Sequence, residues 1–350
     1  MRGTVNLLRG ELRTSSARVW IGKLESSIYR MFIVPLVALL PAIFAYGIAL
    51  LIGDLRYRFY KEYREEIEST LAHVFGNRLS PEGRSRAARD WYRLRSCETV
   101  DVMRLVGNGN ALSRLVHVRG LEHIENALAE GKGAFLCSAH FGSYRCCFSL
   151  LGSLGFPVTL ITNWSYDDDH LSPIDRLFYR LLQDRPVVHH LRRPNIVRRQ
   201  GRIGVAVQAA ILLRRNELIA NMLDHSDYGD PVAPPDSAGH ISVDFLDGKA
   251  TLLPGAISIA QLTGAKVLVT LLRRSHDWRH QVLEIFPPIP VQGDTLEAFR
   301  KCLAILENAI YQNPSHWIKW NYTAMSQLRM MPVSHARFQS YKQQLAQGPT

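Results

Sequence analysis

Apolar and polar positions divide the chain sharply near its start. Residues 31–53, MFIVPLVALLPAIFAYGIALLIG, carry no charge. Read as one helix at 1.5 Å per residue, they reach about 35 Å, enough for a hydrocarbon core of ~30 Å. A cleaved leader fits badly: the stretch starts late, is long, and is followed by no small-residue cleavage site. Pro35 and Pro41 would bend such a helix. The segment therefore reads as a membrane helix, with an interfacial anchor and a buried core helix as the other readings. Arginines and lysines lie on both sides, from Arg2 to Arg30 before it and from Arg56 to Arg64 after it, so charge bias assigns no orientation. Tyr46, Tyr57, Phe59 and Tyr60 suit an interface.

Beyond residue 55 the periodicity is that of a soluble α/β protein. Tyr60, Tyr63, Ile67, Leu71 and Val74 recur at helical spacing, with Gly76-Asn77 as a stop. Ser80-Pro81-Glu82 opens a second, long and polar helix expected to run to about Val106. Residues 121–131 form an amphipathic helix closed by Gly131. GAFLCSA at 133–139 is a buried strand, 144–155 a helix, and PVTLIT at 157–162 the next strand. Such a β–α–β run predicts parallel strands with a right-handed crossover. Helices follow at 202–215, 254–264 and 295–312. Strands are expected at 217–223, 240–246, 265–272 and 280–286. The reading is a single α/β domain with a mixed, largely parallel sheet flanked by helices, plus an N-terminal membrane helix. Its divisions are a basic segment 1–27, an anchor 28–54, the domain at 55–335 and a polar tail 336–350.

Composition narrows the partners. Lys and Arg number 42 against 31 Asp and Glu, a net charge of +11. That favours an anionic membrane surface, acidic substrates or nucleic acid, and no recognition motif accompanies the charge to support the last. The five cysteines have no paired spacing and no CxxC, which argues against a disulfide framework and a structural zinc site and favours a reducing compartment. Residues 167–170, DDDH, resemble a metal site only superficially. Neither metal nor cofactor is expected.

Candidate chemistry centres on His140. It follows the strand at 133–139 and precedes a helix, on the side where open α/β sheets place their ligands. A neutral imidazole there can take a proton from an incoming hydroxyl. Ser143 sits in no G-x-S-x-G elbow, so it does not read as a nucleophile. His189 and His190 read as structural or interfacial, and Trp317 and Trp320 as core or membrane-facing packing. The arginines of 189–202 read as a solvated face, a carrier-docking patch or a lipid-phosphate contact.

Several stretches, in order, resemble the bacterial lipid A late acyltransferases, within the wider lysophospholipid acyltransferase group. They are GLEHIENALAEGKGAFLCSAHFG, GFPVTLIT, LIANMLDHSDYG, the run from Val243 to Arg274, and NPSHWIKWNY at 313–322. The resemblance covers about residues 55–330. It implies transfer of a fatty acyl group from a thioester carrier, acyl-carrier protein or coenzyme A, to a hydroxyl of a lipid or glycolipid. His140 is the implied general base, and the domain is implied to sit at the cytoplasmic face of a bacterial inner membrane.

Two positions depart from the family pattern. Where the family has a carboxylate five residues after the histidine, this chain has Arg145, and where an arginine follows PVTLIT it has Asn163. A carboxylate would fix the ring's tautomer and support the imidazolium; a cation opposes the charged ring. Three readings stay open. Arg145 faces a substrate anion while another acid, such as Asp224, orients His140. Or the site binds acyl groups without turnover. Or a lone histidine works unaided. Asp224 reads equally as a turn cap. His140 and Asp224 are the catalytic candidates, and Phe141, Gly142, Ser143, Arg145 and Asn163 the candidate substrate contacts. The alternative functions are a catalytically altered lipid-binding membrane protein and transfer to an amine or a non-lipid metabolite.

Overall fold

The run Ala134–Ser138 is apolar or small at every position and becomes an interior strand, buried along its whole length. A computed structural model describes residues 34–107, 112–156, 158–162, 196–197, 201–225, 239–321, 324–325, 328 and 330. Its helices are α1 (Val34–Leu39), α2 (Ala42–Phe59), α3 (Lys61–Phe75), α4 (Pro81–Gly107), α5 (Leu121–Ala129), α6 (Tyr144–Ser153), α7 (Gly201–Arg214), α8 (Gly255–Thr263) and α9 (Thr295–Gln312). The strands are β1 (Val116–Arg119), β2 (Ala134–Ser138), β3 (Val158–Thr162), β4 (Ile196–Val197), β5 (Leu218–Met222), β6 (Ile241–Phe245), β7 (Gly248–Leu252), β8 (Lys266–Arg274) and β9 (Gln281–Ile285).

Seven strands form one sheet in the order β1-β9-β8-β2-β5-β3-β4. Every neighbouring pair is parallel except β8 with β9. The β6–β7 hairpin is separate. This is a single α/β domain on a mixed, largely parallel sheet flanked by helices. Helix α9 shows how one flank is sealed. Asp294 caps it by accepting from the Leu296 N–H, and Ala298, Phe299, Cys302, Leu303, Leu306 and Ile310 bury one face.

The N-terminal apolar segment differs from the expectation of a spanning helix. Among the described residues no helix is long and apolar enough to cross a membrane. The physical reason lies in the sequence: Pro41 has no N–H to continue the ladder, so the segment splits into α1 and α2. The second half of α2 also carries Asp54, Arg56 and Arg58.

Helix α2 lies against α4 instead. Ala45, Ala49 and Gly53, at spacing four, are buried in that contact. A Cβ on Gly53 would stand 2.6 Å from the Arg93 Cα, so the helices approach backbone to backbone. Asp54 then reaches Arg89 and Arg93 at 2.8 and 2.7 Å, and the two guanidinium groups hold its carboxyl well below the usual carboxylate range. The other face of α1 and α2 exposes Leu39 (82%), Phe44, Leu51 and Phe59 (73%).

Candidate active site

The sheet register alone brings two polar side chains together. β2 and β5 are parallel neighbours, with Ser138 opposite Met222, and Leu223 N–H donates to the Ser138 carbonyl at 2.7 Å. Two residues further on each strand stand His140 and Asp224. Both apolar runs stop at the same level, so their first charged groups meet. His140 Nδ1 lies 2.9 Å from Asp224 Oδ1. The histidine side chain is 17% exposed and the aspartate fully buried, so the ring can be reached from outside while its partner cannot.

Three donors converge on Asp224. Besides Nδ1, the His140 backbone N–H lies 3.0 Å from Oδ2, and the Trp317 indole N–H donates to Oδ2 at 2.9 Å. Lys319, itself buried, adds a nearby positive charge. Burial alone would push the Asp224 carboxyl up. The neighbouring His140 ring and its hydrogen bond, Lys319 and the indole outweigh burial and hold it well below the usual range. The stability Asp224 contributes is therefore present above an unfolded aspartate's value of about 3.9. It is lost only as pH falls through its own lower folded value. An ionised Asp224 accepts from Nδ1–H, which leaves Nε2 as the basic nitrogen.

The loop 140–143 is clamped from both sides. The 316–318 segment pairs with it: Gly142 N–H donates to the His316 carbonyl at 2.8 Å, and Ile318 N–H to the His140 carbonyl at 3.0 Å. Burial lowers His316 to about 3, so it stays neutral; its Nε2 accepts from the Arg274 N–H at 3.2 Å. From the sheet, the Leu272 carbonyl accepts from the Ser143 N–H at 3.3 Å. Gly142 has φ +62, and a Cβ there would overlap the Leu272 carbonyl oxygen, so the close approach requires glycine.

Phe141 and Ser143 turn inward. Phe141 packs on the His316 ring at 5.4 Å, and the Ser143 hydroxyl donates to Asp101 at 2.8 Å. The expectation that they touch substrate finds almost no exposed surface at either side chain. Arg145 is exposed. Its guanidinium lies against Tyr144, with Nε 3.4 Å from the hydroxyl, and the Tyr144 ring stands 4.9 Å from the His140 ring. The Arg145 backbone N–H points to the buried Glu98 carboxylate at 3.5 Å. The carboxylate in contact with His140 Nδ1 is therefore Asp224, and the Arg145 side chain lies against Tyr144 instead. Asn163, DDDH at 167–170, and His189 and His190 lie outside the described residues. Sequence reasoning missed Trp317, Tyr144 and Lys319. An indole reads as packing because its single donor is invisible in an apolar pattern.

A strand-end histidine hydrogen-bonded to a buried carboxylate thus stands at the rim of a mixed α/β sheet. The chain matches the family profile of the bacterial lipid A biosynthesis acyltransferases over residues 23–320 and belongs to that family. It is an acyltransferase, and family membership implies an acyl donor and a lipid acceptor. No curated protein matches the chain.

Proposed function

We propose that the protein transfers a fatty acyl group from a thioester of acyl-carrier protein or coenzyme A to a hydroxyl of a lipid or glycolipid, with His140 as general base. The observation that carries this reading is the 2.9 Å contact between His140 Nδ1 and the buried Asp224. The acceptor O–H gives its proton to Nε2 as its oxygen attacks the thioester carbonyl. Asp224 fixes the tautomer and stabilises the imidazolium that forms. The C–S bond then breaks, and the ring returns its proton to the departing thiolate.

The exposed apolar face of α1 and α2, followed by Arg56, Arg58, Lys61 and Arg64, supports an interfacial rather than a spanning seat on an anionic bilayer. Thioester carriers are cytoplasmic, so the catalytic face belongs on that side of a bacterial inner membrane. Purified protein with a labelled acyl thioester and a bacterial lipid extract should yield labelled lipid. Binding of the acyl chain without any labelled product would replace this reading with a lipid-binding one, and label on an amine or a water-soluble product would replace its acceptor.

Restoring the family carboxylate should not help. Arg145→Glu puts a second acid beside buried Glu98 while Asp224 already orients the ring. Turnover should fall by roughly tenfold, less than the ~10²–10⁴ a positioned general base contributes. A rise in turnover would show that Asp224 is an inadequate partner and that Arg145 is a defect.

A further inference from the structure

The underside of the His140 loop rests on a buried charged network that reaches the N-terminal helices. Helix α4 presents Arg95, Glu98 and Asp101 at spacing three, on one face. Arg95 Nη2 donates to the Gly142 carbonyl at 2.6 Å, and its Nη1 to Glu98 at 2.7 Å. Asp101, fully buried, accepts from the Ser143 hydroxyl at 2.8 Å, from the Tyr46 hydroxyl at 2.7 Å and from the Arg274 guanidinium. Arg274 is equally buried, and its second nitrogen donates to the Trp278 carbonyl at 2.7 Å. The Tyr46 ring lies 5.1 Å from that guanidinium. Arg104, three residues beyond Asp101, donates to the Leu40 carbonyl at the break between α1 and α2.

Two features make this more than internal packing. A buried ion pair is expensive unless its partners offset the lost solvation; Asp101 is matched by groups from α2, β8 and the His140 loop at once, while Nε of Arg274 and Nε of Arg95 are buried without a hydrogen-bond partner. Also, the Ala45–Ala49–Gly53 stripe is what brings α2 close enough for Tyr46 to reach Asp101. Remove that hydroxyl and Asp101 loses one of its three donors, while Ser143, which precedes α6 and lies three residues after His140, shares the disturbed carboxylate.

We propose that Tyr46 and Asp101 are positioning residues for His140, so that the apolar pair α1–α2 holds the catalytic loop in register through Tyr46–Asp101–Ser143. The kinetic consequence rests on the acyl-transfer reading; the structural one does not. The two are separated by measuring transfer and backbone hydrogen exchange on the same full-length protein.

Tyr46→Phe keeps the ring and removes only the hydroxyl. It should lower kcat about tenfold with KM for the thioester donor within about twofold, as expected when a reacting group is displaced rather than a binding surface lost. Exchange in peptides covering 139–146 should quicken about tenfold while the α9 peptide at 295–312 is unchanged. Asp101→Asn should exceed both effects. Unchanged exchange at 139–146 in Tyr46→Phe would overturn the proposal. So would equal acceleration in α9, which marks general loosening, or a kcat within twofold of the parent. Should the parent transfer no acyl group, the acyl-transfer reading fails, and exchange alone still decides whether Tyr46 holds the loop.

Discussion

His140→Ala should bring acyl transfer down to background, a fall of about 10²–10⁴ in kcat, the span attributed to a positioned general base. Asp224→Asn should cost nearly as much, about 10²–10³, although it removes no atom from the reacting groups. An asparagine carries no charge to support the imidazolium, and its amide can turn the ring's proton to the wrong nitrogen. The doubly substituted protein should be little worse than His140→Ala, because the two groups act as one unit. Single-turnover transfer, with circular dichroism to establish folding, is the measurement. Retention of a third or more of the rate by folded Asp224→Asn would mean that the 2.9 Å contact is structural and the carboxylate only a turn cap.

The second large effect belongs to a residue with no side chain. Gly142→Ala should lower Tm by roughly 1–4 °C and transfer by about a hundredfold. The Tm follows from about 1–3 kcal/mol of left-handed strain in a protein of this size. The loss of transfer follows from displacement of the loop, since a methyl group at Gly142 overlaps the Leu272 carbonyl and misplacement of about 1 Å can cost this much. Calorimetry and the transfer assay test the two parts separately. An alanine variant with parental Tm and near-parental rate would show that β8 yields there freely.

Most strands are legible in the sequence, GAFLCSA and ELIANML among them, and each of these two is followed by a candidate residue, His140 or Asp224. That the two strands are parallel neighbours in register, which brings those side chains together, is visible only in the fold. What escaped was polar chemistry in unremarkable places. Helix α4 reads as a long polar surface helix, yet Ser96, Cys97, Glu98, Val100 and Asp101 are buried. Its charges are satisfied by partners distant in sequence, which no local pattern reports. β1 is short with a half-buried, half-exposed alternation, and β7 begins Gly-Lys, so neither carries an apolar run long enough to stand out. The break at Pro41 was visible as a bend, but the choice between spanning and folding back depended on the small-residue stripe meeting α4, a tertiary fact. Arg145 draws attention in the sequence, whereas the acid in contact with His140 follows the neighbouring strand β5.

All five cysteines are interior. Burial pushes the thiols of Cys97, Cys147 and Cys302 up to about 12, and those of Cys137 and Cys146 well above the ordinary range. None offers a thiolate to an incoming donor, and the Ser143 hydroxyl is committed to Asp101. The protein therefore has no sulfur on which to park the fatty chain between substrates. Under the proposed chemistry the acyl group passes directly from thioester to acceptor, with donor and acceptor bound together and no cysteine carrying it between them.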